Sequence, residues 1–170
     1  MQVDRAQSET KTALLAIPEG AAGVRATLKI MRGIIRDAKT DYKIRALALE
    51  LVQGLNQKDF AGEVKALHAF VQNKIRYVKD IHGIETLQTP VKTLEIGQGD
   101  CDDKAILLST LLEVLGHPAR LVAVGFAPGR YSHVYPETKV GRYWVPLETT
   151  EPWPAGKGPP GVKARMLLNV

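Results

Sequence analysis

Two changes of pattern along 170 residues predict an α+β fold built on one core. The first half carries apolar residues at helical spacing, whereas the segment after Pro118 alternates with a period near two. Between them lies an eleven-residue stretch, Ala105 to Leu115, that is apolar at almost every position. Helices followed by antiparallel strands around a buried helix is an α+β arrangement.

The elements follow in order. Val24, Leu28, Met31 and Ile35 step by four, three and four, which marks the core face of a first helix. Arg25, Lys29, Arg32 and Arg36 repeat those steps one residue on and read as a solvated basic face. A second helix is expected after Asp41, a good N-cap, with Ile44, Leu47, Ala48, Leu51, Val52 and Leu55 inward and Gly54 at its end. A third is expected after Asp59, burying Phe60, Val64, Leu67, Val71 and Ile75, with His68 as a packing residue. Lys79 to Gly99 reads mostly as loop, including His82. The apolar Ala105–Leu115 stretch is a buried helix ended by Gly116 and Pro118. Arg120–Phe126, His133–Glu137 and Tyr143–Glu148 are expected strands. The stretch 152–161, with four prolines and three glycines, reads as an arm.

Composition narrows the function classes. Hydrophobic residues make up 45% and charged residues 24%, a globular balance. A single cysteine, Cys101, excludes a disulfide scaffold. No apolar run approaches the roughly 18–20 residues that span a bilayer, and MQVDRAQSETK lacks a signal-peptide core, so the expectation is a cytoplasmic protein without a membrane partner. The net charge of +5 permits an acidic partner without naming one.

The chemistry centres on Cys101, within Gly99-Asp100-Cys101-Asp102-Asp103 at the opening of the buried helix. Unpaired N–H groups at a helix start stabilise a thiolate, but three nearby carboxylates oppose it, so a base must assist. His117 lies about 24 Å along the helix at 1.5 Å per residue and is too far. His133 opens a strand. A hairpin centred between Val140 and Gly141, with a four-residue loop, sets His133 opposite Glu148 on one face, with Cβ atoms about 5 Å apart. That pattern points to a nucleophile–base–orienter set of Cys101, His133 and Glu148. Helix-start electrostatics accounts for Asp102 and Asp103 better than calcium, which needs six to eight oxygens. Neither zinc nor any other metal or cofactor is expected.

The stretches GDCDDKAILLSTLLEVLGHPARLVAV, SHVYPE and WVPLETT, with EVKALHAFVQNK, IRYVKD and ETLQTP upstream, resemble the transglutaminase-like superfamily of papain-like cysteine folds. With IPEGAAGVRATLKIM included, nearly the whole chain is similar to short transglutaminase-like proteins of tailed phages and prophages. The resemblance implies a papain/transglutaminase-like core in which a Cys-bearing helix packs on an antiparallel sheet. It implies one domain, with residues 1–58 as a helical extension, 59–150 as the catalytic core and 151–170 as the arm. It makes Cys101 the nucleophile, His133 the base and Glu148 the orienting acid, where the superfamily usually has Asp. Gln98, Gln88 and Trp144 are candidates for a second oxyanion donor beside the Cys101 N–H.

Three functions follow as expectations. The first is a cysteine-dependent acyl-transfer enzyme acting on amide or isopeptide bonds, cleaving rather than cross-linking, with a protein or peptide substrate such as a virion component. The second is a catalytically silent phage assembly or binding module. The third, least favoured, is nucleic-acid binding through Arg25, Lys29, Arg32 and Arg36; whichever holds, the expected location is the cytoplasm, or host cytoplasm or virion if the protein is phage-encoded.

Overall fold

The computed structural model describes residues 16–79 and 86–170. Helices α1 (Gly20–Ala38), α2 (Tyr42–Val52) and α3 (Phe60–Lys74) come first. A two-residue strand β1 (Arg76–Tyr77), helix α4 (Pro90–Ile96) and strand β2 (Gln98–Gly99) lead into the central helix α5 (Cys101–Val114). Strands β3 (Ala119–Gly125), β4 (His133–Val140), β5 (Tyr143–Pro146) and β6 (Ala164–Asn169) complete the chain. The α+β expectation holds, with α5 packed between the helices and one face of an antiparallel sheet ordered β5-β4-β3-β6.

Local chemistry accounts for the helix boundaries. The Asp41 carboxylate accepts from the N–H groups of Lys43 and Ile44, and that of Asp59 from Gly62, so each starts a helix as expected. Helix α1 buries Leu28, Met31 and Ile35 against Ala105, Ile106, Leu121, Ala123 and Val134, while Arg25, Lys29 and Arg36 stand exposed. Ile44 and Ala48 of α2 and Val64, Leu67 and Val71 of α3 meet Leu107, Leu108, Leu111 and Leu112 on the other side of α5. With neighbours on both sides, α5 has no polar face over its middle turns, which is why its sequence is apolar all round.

Four expectations need correction. Leu55 and Phe60 point outward, 39% and 55% exposed; Phe60 instead sits edge-on to His117, which pairs with Glu63 at 2.7 Å. The stretch before Cys101 is not mostly loop. Thr89 caps α4, Pro90 occupies its first turn, and Gly97 closes it at φ 70°; residues 80–85, including His82, lie outside the described residues. The hairpin turn is the two-residue Gly141-Arg142, with Gly141 at φ 62° supplying the positive angle that a tight turn of this kind requires. This moves the β4–β5 register by two residues, so Glu137 pairs with Pro146, and β5 ends there, two residues short of Glu148. Finally, the expected arm ends in a strand that the sequence reading did not assign: β6 pairs antiparallel along β3, from Arg120–Asn169 to Gly125–Ala164.

The arm between β5 and β6 is tied down by backbone groups. Gly156 N–H donates to Pro146 and Lys163 N–H to Gly125. The Gln72 amide of α3 donates to the carbonyls of Glu151 and Trp153 at 2.7 and 2.8 Å.

Because α5 is enclosed on both sides, truncating Leu108, which is fully buried, to alanine should lower the unfolding free energy by about 2–5 kcal/mol. The same change at Leu167, 41% exposed on β6, should cost less than about 1 kcal/mol by urea denaturation.

Candidate active site

The start of α5 is built around one carboxylate on each side of Cys101. Asp100 is the N-cap, its Oδ1 accepting from the N–H groups of Asp102 and Asp103 at 2.9 and 3.2 Å. Asp103, fully buried, reaches back: Oδ2 accepts from the Asp100 N–H at 3.2 Å and the Gln88 amide at 3.0 Å, and Oδ1 from the Gln88 N–H at 2.8 Å. This reciprocal capping box satisfies the donors that a helix start leaves open. It also explains Gly99, where a Cβ would lie 2.6 Å from that of Asp103. Among the described residues, the Cys101 N–H is the first-turn amide that no capping group takes.

Cys101 packs in the cluster that contains Val134 of β4, and the Val134 N–H donates to its sulfur. Burial pushes the thiol well above its ordinary range, and the Asp102 and Asp100 carboxylates push it further, against the opposing pull of Val134. The resting thiol is thus protonated, and the expectation that a base must assist is sharpened.

His133 and Glu148 come together as expected, by a different route. In the observed register, the line of β5 continues through Leu147, whose N–H donates to Pro136 at 2.9 Å. That line places Glu148 beside Tyr135, diagonal to His133 and on the same face. Diagonal neighbours lie about 7–8 Å apart, within reach of a long side chain. The glutamate spans the gap: Oε2 meets His133 Nε2 at 2.5 Å. Its extra methylene, beyond the usual Asp, thus suits a diagonal position.

Glu148 is held from every side. Oε1 accepts from the Thr150 N–H and hydroxyl, both at 2.7 Å, and the backbone carbonyl accepts from His68 Nε2 at 2.6 Å. Burial alone pushes the carboxyl up, but the His133 and Thr150 hydrogen bonds outweigh it and hold Glu148 below the ordinary glutamate range. An ionised Glu148 requires the proton on His133 Nε2, leaving Nδ1 as the nitrogen that can accept one. His68 is buried, as a packing residue should be, yet it also positions the acid's backbone; burial lowers its pKa and keeps it neutral.

Beneath this network lies Lys104, 2% exposed. Its ammonium donates to the carbonyls of Ile75 and Gln72 at 2.8 and 3.5 Å, capping the end of the helix that carries His68 and Gln72. Burial lowers it to about 8, against the attraction of Glu148. The sequence reading missed Lys104, Gln72 and Tyr77, because a charged residue in an apolar helix or an amide on a helix face has no distinctive spacing.

The candidate oxyanion donors separate. Trp144 pairs with Lys139, six residues from His133, and stacks under the Arg120 guanidinium at 4.2 Å; at about 3.3 Å per residue it is some 20 Å away. Gln88 is committed to Asp103. Gln98 accepts from Arg76 at 2.5 Å. Asp102 and Asp103 serve the helix start, and no cluster of three or more metal-ligating side chains occurs among the described residues.

A cleft of about 390 Å³ runs past His133 and Glu148. Tyr77, Phe126, Trp153, Pro159 and Pro160 form much of its wall, so the arm supplies one side.

A buried helix that opens on a cysteine and packs on an antiparallel sheet bearing a histidine–acid pair defines the papain-like class of α+β folds. Residues 45–149 match the sequence model of the transglutaminase-like superfamily, and the chain belongs to that superfamily. No match was found among curated protein sequences. Among solved structures, the chain is similar to a candidate protease from Parabacteroides distasonis (16% identity, TM-score 0.62, covering 74% of this chain and 26% of that one). It is similar also to a candidate cysteine protease from Cytophaga hutchinsonii (16% identity, TM-score 0.55, covering 82% and 51%). Calcium-bound Legionella pneumophila LapG is a third (19% identity, TM-score 0.55, covering 80% of each chain). The chain thus spans about a quarter and about half of the first two structures. At these identities the likeness is one of fold. No helix among the described residues is long and apolar enough to cross a membrane.

Two pH effects follow. Glu148 is held below 4.5 in the folded state, so its contribution to stability is complete above that pH and is lost as pH falls below it. Lys104 is lowered from 10.5 to about 8, so the unfolded chain binds more protons between those values and stability should rise with pH across that window. Urea midpoints across both ranges should show these slopes, with Glu148→Gln flattening the acid one and Lys104→Met the alkaline one.

Proposed function

We propose that the protein is a cysteine-dependent acyl-transfer enzyme that hydrolyses amide or isopeptide bonds in a protein or peptide, with Cys101 as nucleophile, His133 as base and Glu148 as orienting acid. The observation that carries this reading is the His133–Glu148 contact at 2.5 Å, made by a buried carboxylate with no other exposed use. A carboxylate engaged on both oxygens holds the imidazole proton on Nε2 and leaves Nδ1 free to accept one.

In this mechanism His133 Nδ1 takes the Cys101 proton as the sulfur attacks the carbonyl carbon. Transfer coupled to attack suits a thiol held neutral at rest. The carbonyl oxygen becomes an oxyanion at the Cys101 N–H, the site that the capping box leaves open. The imidazolium then protonates the leaving amine, giving a thioester. Water, activated by the same ring, releases the acid and restores the thiol. The cleft beside His133 admits water, which supports hydrolysis over transfer to an amine. The aromatic and proline wall suits an extended segment with apolar side chains, and a cytoplasmic or virion protein substrate belongs to the same proposal.

A second reading is a silent assembly module, favoured by the raised thiol pKa. Iodoacetamide separates the two. The enzyme reading expects Cys101 to be alkylated in the native protein and His133→Ala to slow this by about tenfold or more, within the usual range for a general base. Slow labelling, indifferent to His133, indicates the module. A peptide cleaved by the wild type should survive incubation with Cys101→Ala.

A further inference from the structure

An oxyanion needs more than one donor to be stabilised well, and the Cys101 N–H is one. Trp144 and Gln88 are placed or committed elsewhere. Tyr77 is not. It lies in β1, which runs parallel to β2 and sets Tyr77 beside Gly99, two residues before the nucleophile. Its backbone is pinned on both sides, Arg76 N–H donating to Gly97 at 2.9 Å and Val78 N–H to Gly99 at 3.0 Å. Its side chain is 45% exposed and lines the same cleft as His133 and Glu148. A tyrosine rigidly anchored at its backbone, with an exposed ring at the mouth of a reactive site, has a phenol available to a substrate.

We infer that Tyr77 is the second oxyanion donor, its hydroxyl donating a hydrogen bond to the oxygen of the tetrahedral intermediate formed on Cys101. The inference rests on the acyl-transfer reading above. As the sulfur–carbon bond forms, the carbonyl π pair moves onto oxygen, and the Tyr77 proton is shared with that oxygen without leaving the phenol. Collapse of the intermediate returns the pair and expels the leaving group. Burial first, then the carboxylates of Asp100, Asp102 and Glu148, push the phenol above its ordinary pKa, so it stays a donor through neutral and mildly alkaline pH.

Two probes divide oxyanion stabilisation from thiol reactivity. p-Nitrophenyl acetate acylates a thiol through a tetrahedral oxyanion, whereas iodoacetamide alkylates it by displacement at a saturated carbon with no oxyanion. Tyr77→Phe keeps the ring and should slow Cys101 acylation about 10–100-fold, somewhat below the cost of losing a fully enclosed donor, while leaving alkylation within about twofold. Gln98→Leu should alter neither rate. Acylation unchanged in Tyr77→Phe, both rates falling together, or selective loss in Gln98→Leu instead would each overturn the assignment. Wild-type protein whose alkylation ignores His133→Ala and which is not acylated would overturn the enzyme reading, and this inference with it, which a selective Tyr77 result cannot do.

Discussion

A single buried carboxylate organises this molecule's candidate site. Glu148 lies past the last paired residue of β5, where no ladder holds the backbone, and its position is set instead by contacts from three directions. His68 grips its carbonyl, the Thr150 N–H and hydroxyl take one oxygen, and His133 takes the other. Ionised in a buried place, such a group is stable only while every partner remains. The partners come from α3, β4 and the start of the arm, so helix packing, sheet register and arm docking all converge on one residue. Lys104 supports the arrangement from below by closing the end of α3.

Much of this architecture was legible in the sequence. The helical stripes of α1 to α3, the all-round apolar α5 and the alternating strands follow from periodicity, because burial on one face or on all faces writes itself directly into residue type. The His133–Glu148 pair and the place of Cys101 at a helix start were legible because a histidine opening a strand and a cysteine after Gly-Asp at a helix start are each unusual. The register was not. Val140-Gly141 looks like a poor turn centre, yet the chain turns at Gly141-Arg142, since one glycine at the first turn position suffices. A shift of two residues preserves which face each side chain occupies, so the histidine–acid pairing survived an error in its derivation.

What escaped the sequence reading shares a physical cause. Helix α4 is seven residues long and begins at a proline, too short to display a period. Strand β6 follows a proline- and glycine-rich stretch that suggests an irregular tail, and its place on β3 is decided by tertiary pairing. His68, Gln72 and Lys104 act through backbone carbonyls of distant segments, and a carbonyl carries no sequence signal. Phe60 and Leu55 fall on the expected stripe but at helix ends, where the core face runs out.

The cysteine's setting joins two opposing demands. Enclosing the sulfur beside β4 and between carboxylates suppresses the free thiolate, while the same helix start presents an unspent N–H where negative charge would develop on a bound carbonyl. In the proposed mechanism such a site would favour the transition state over the resting ion, with His133 offering an unprotonated Nδ1. The most direct test is the tautomer of His133, read from its ring nitrogen resonances by ¹⁵N NMR at neutral pH. The account predicts the proton on Nε2, with a strongly downfield proton resonance for that N–H which disappears in Glu148→Ala. A ring protonated at Nδ1 with bare Nε2, or one unaffected by removing the carboxylate, would contradict it.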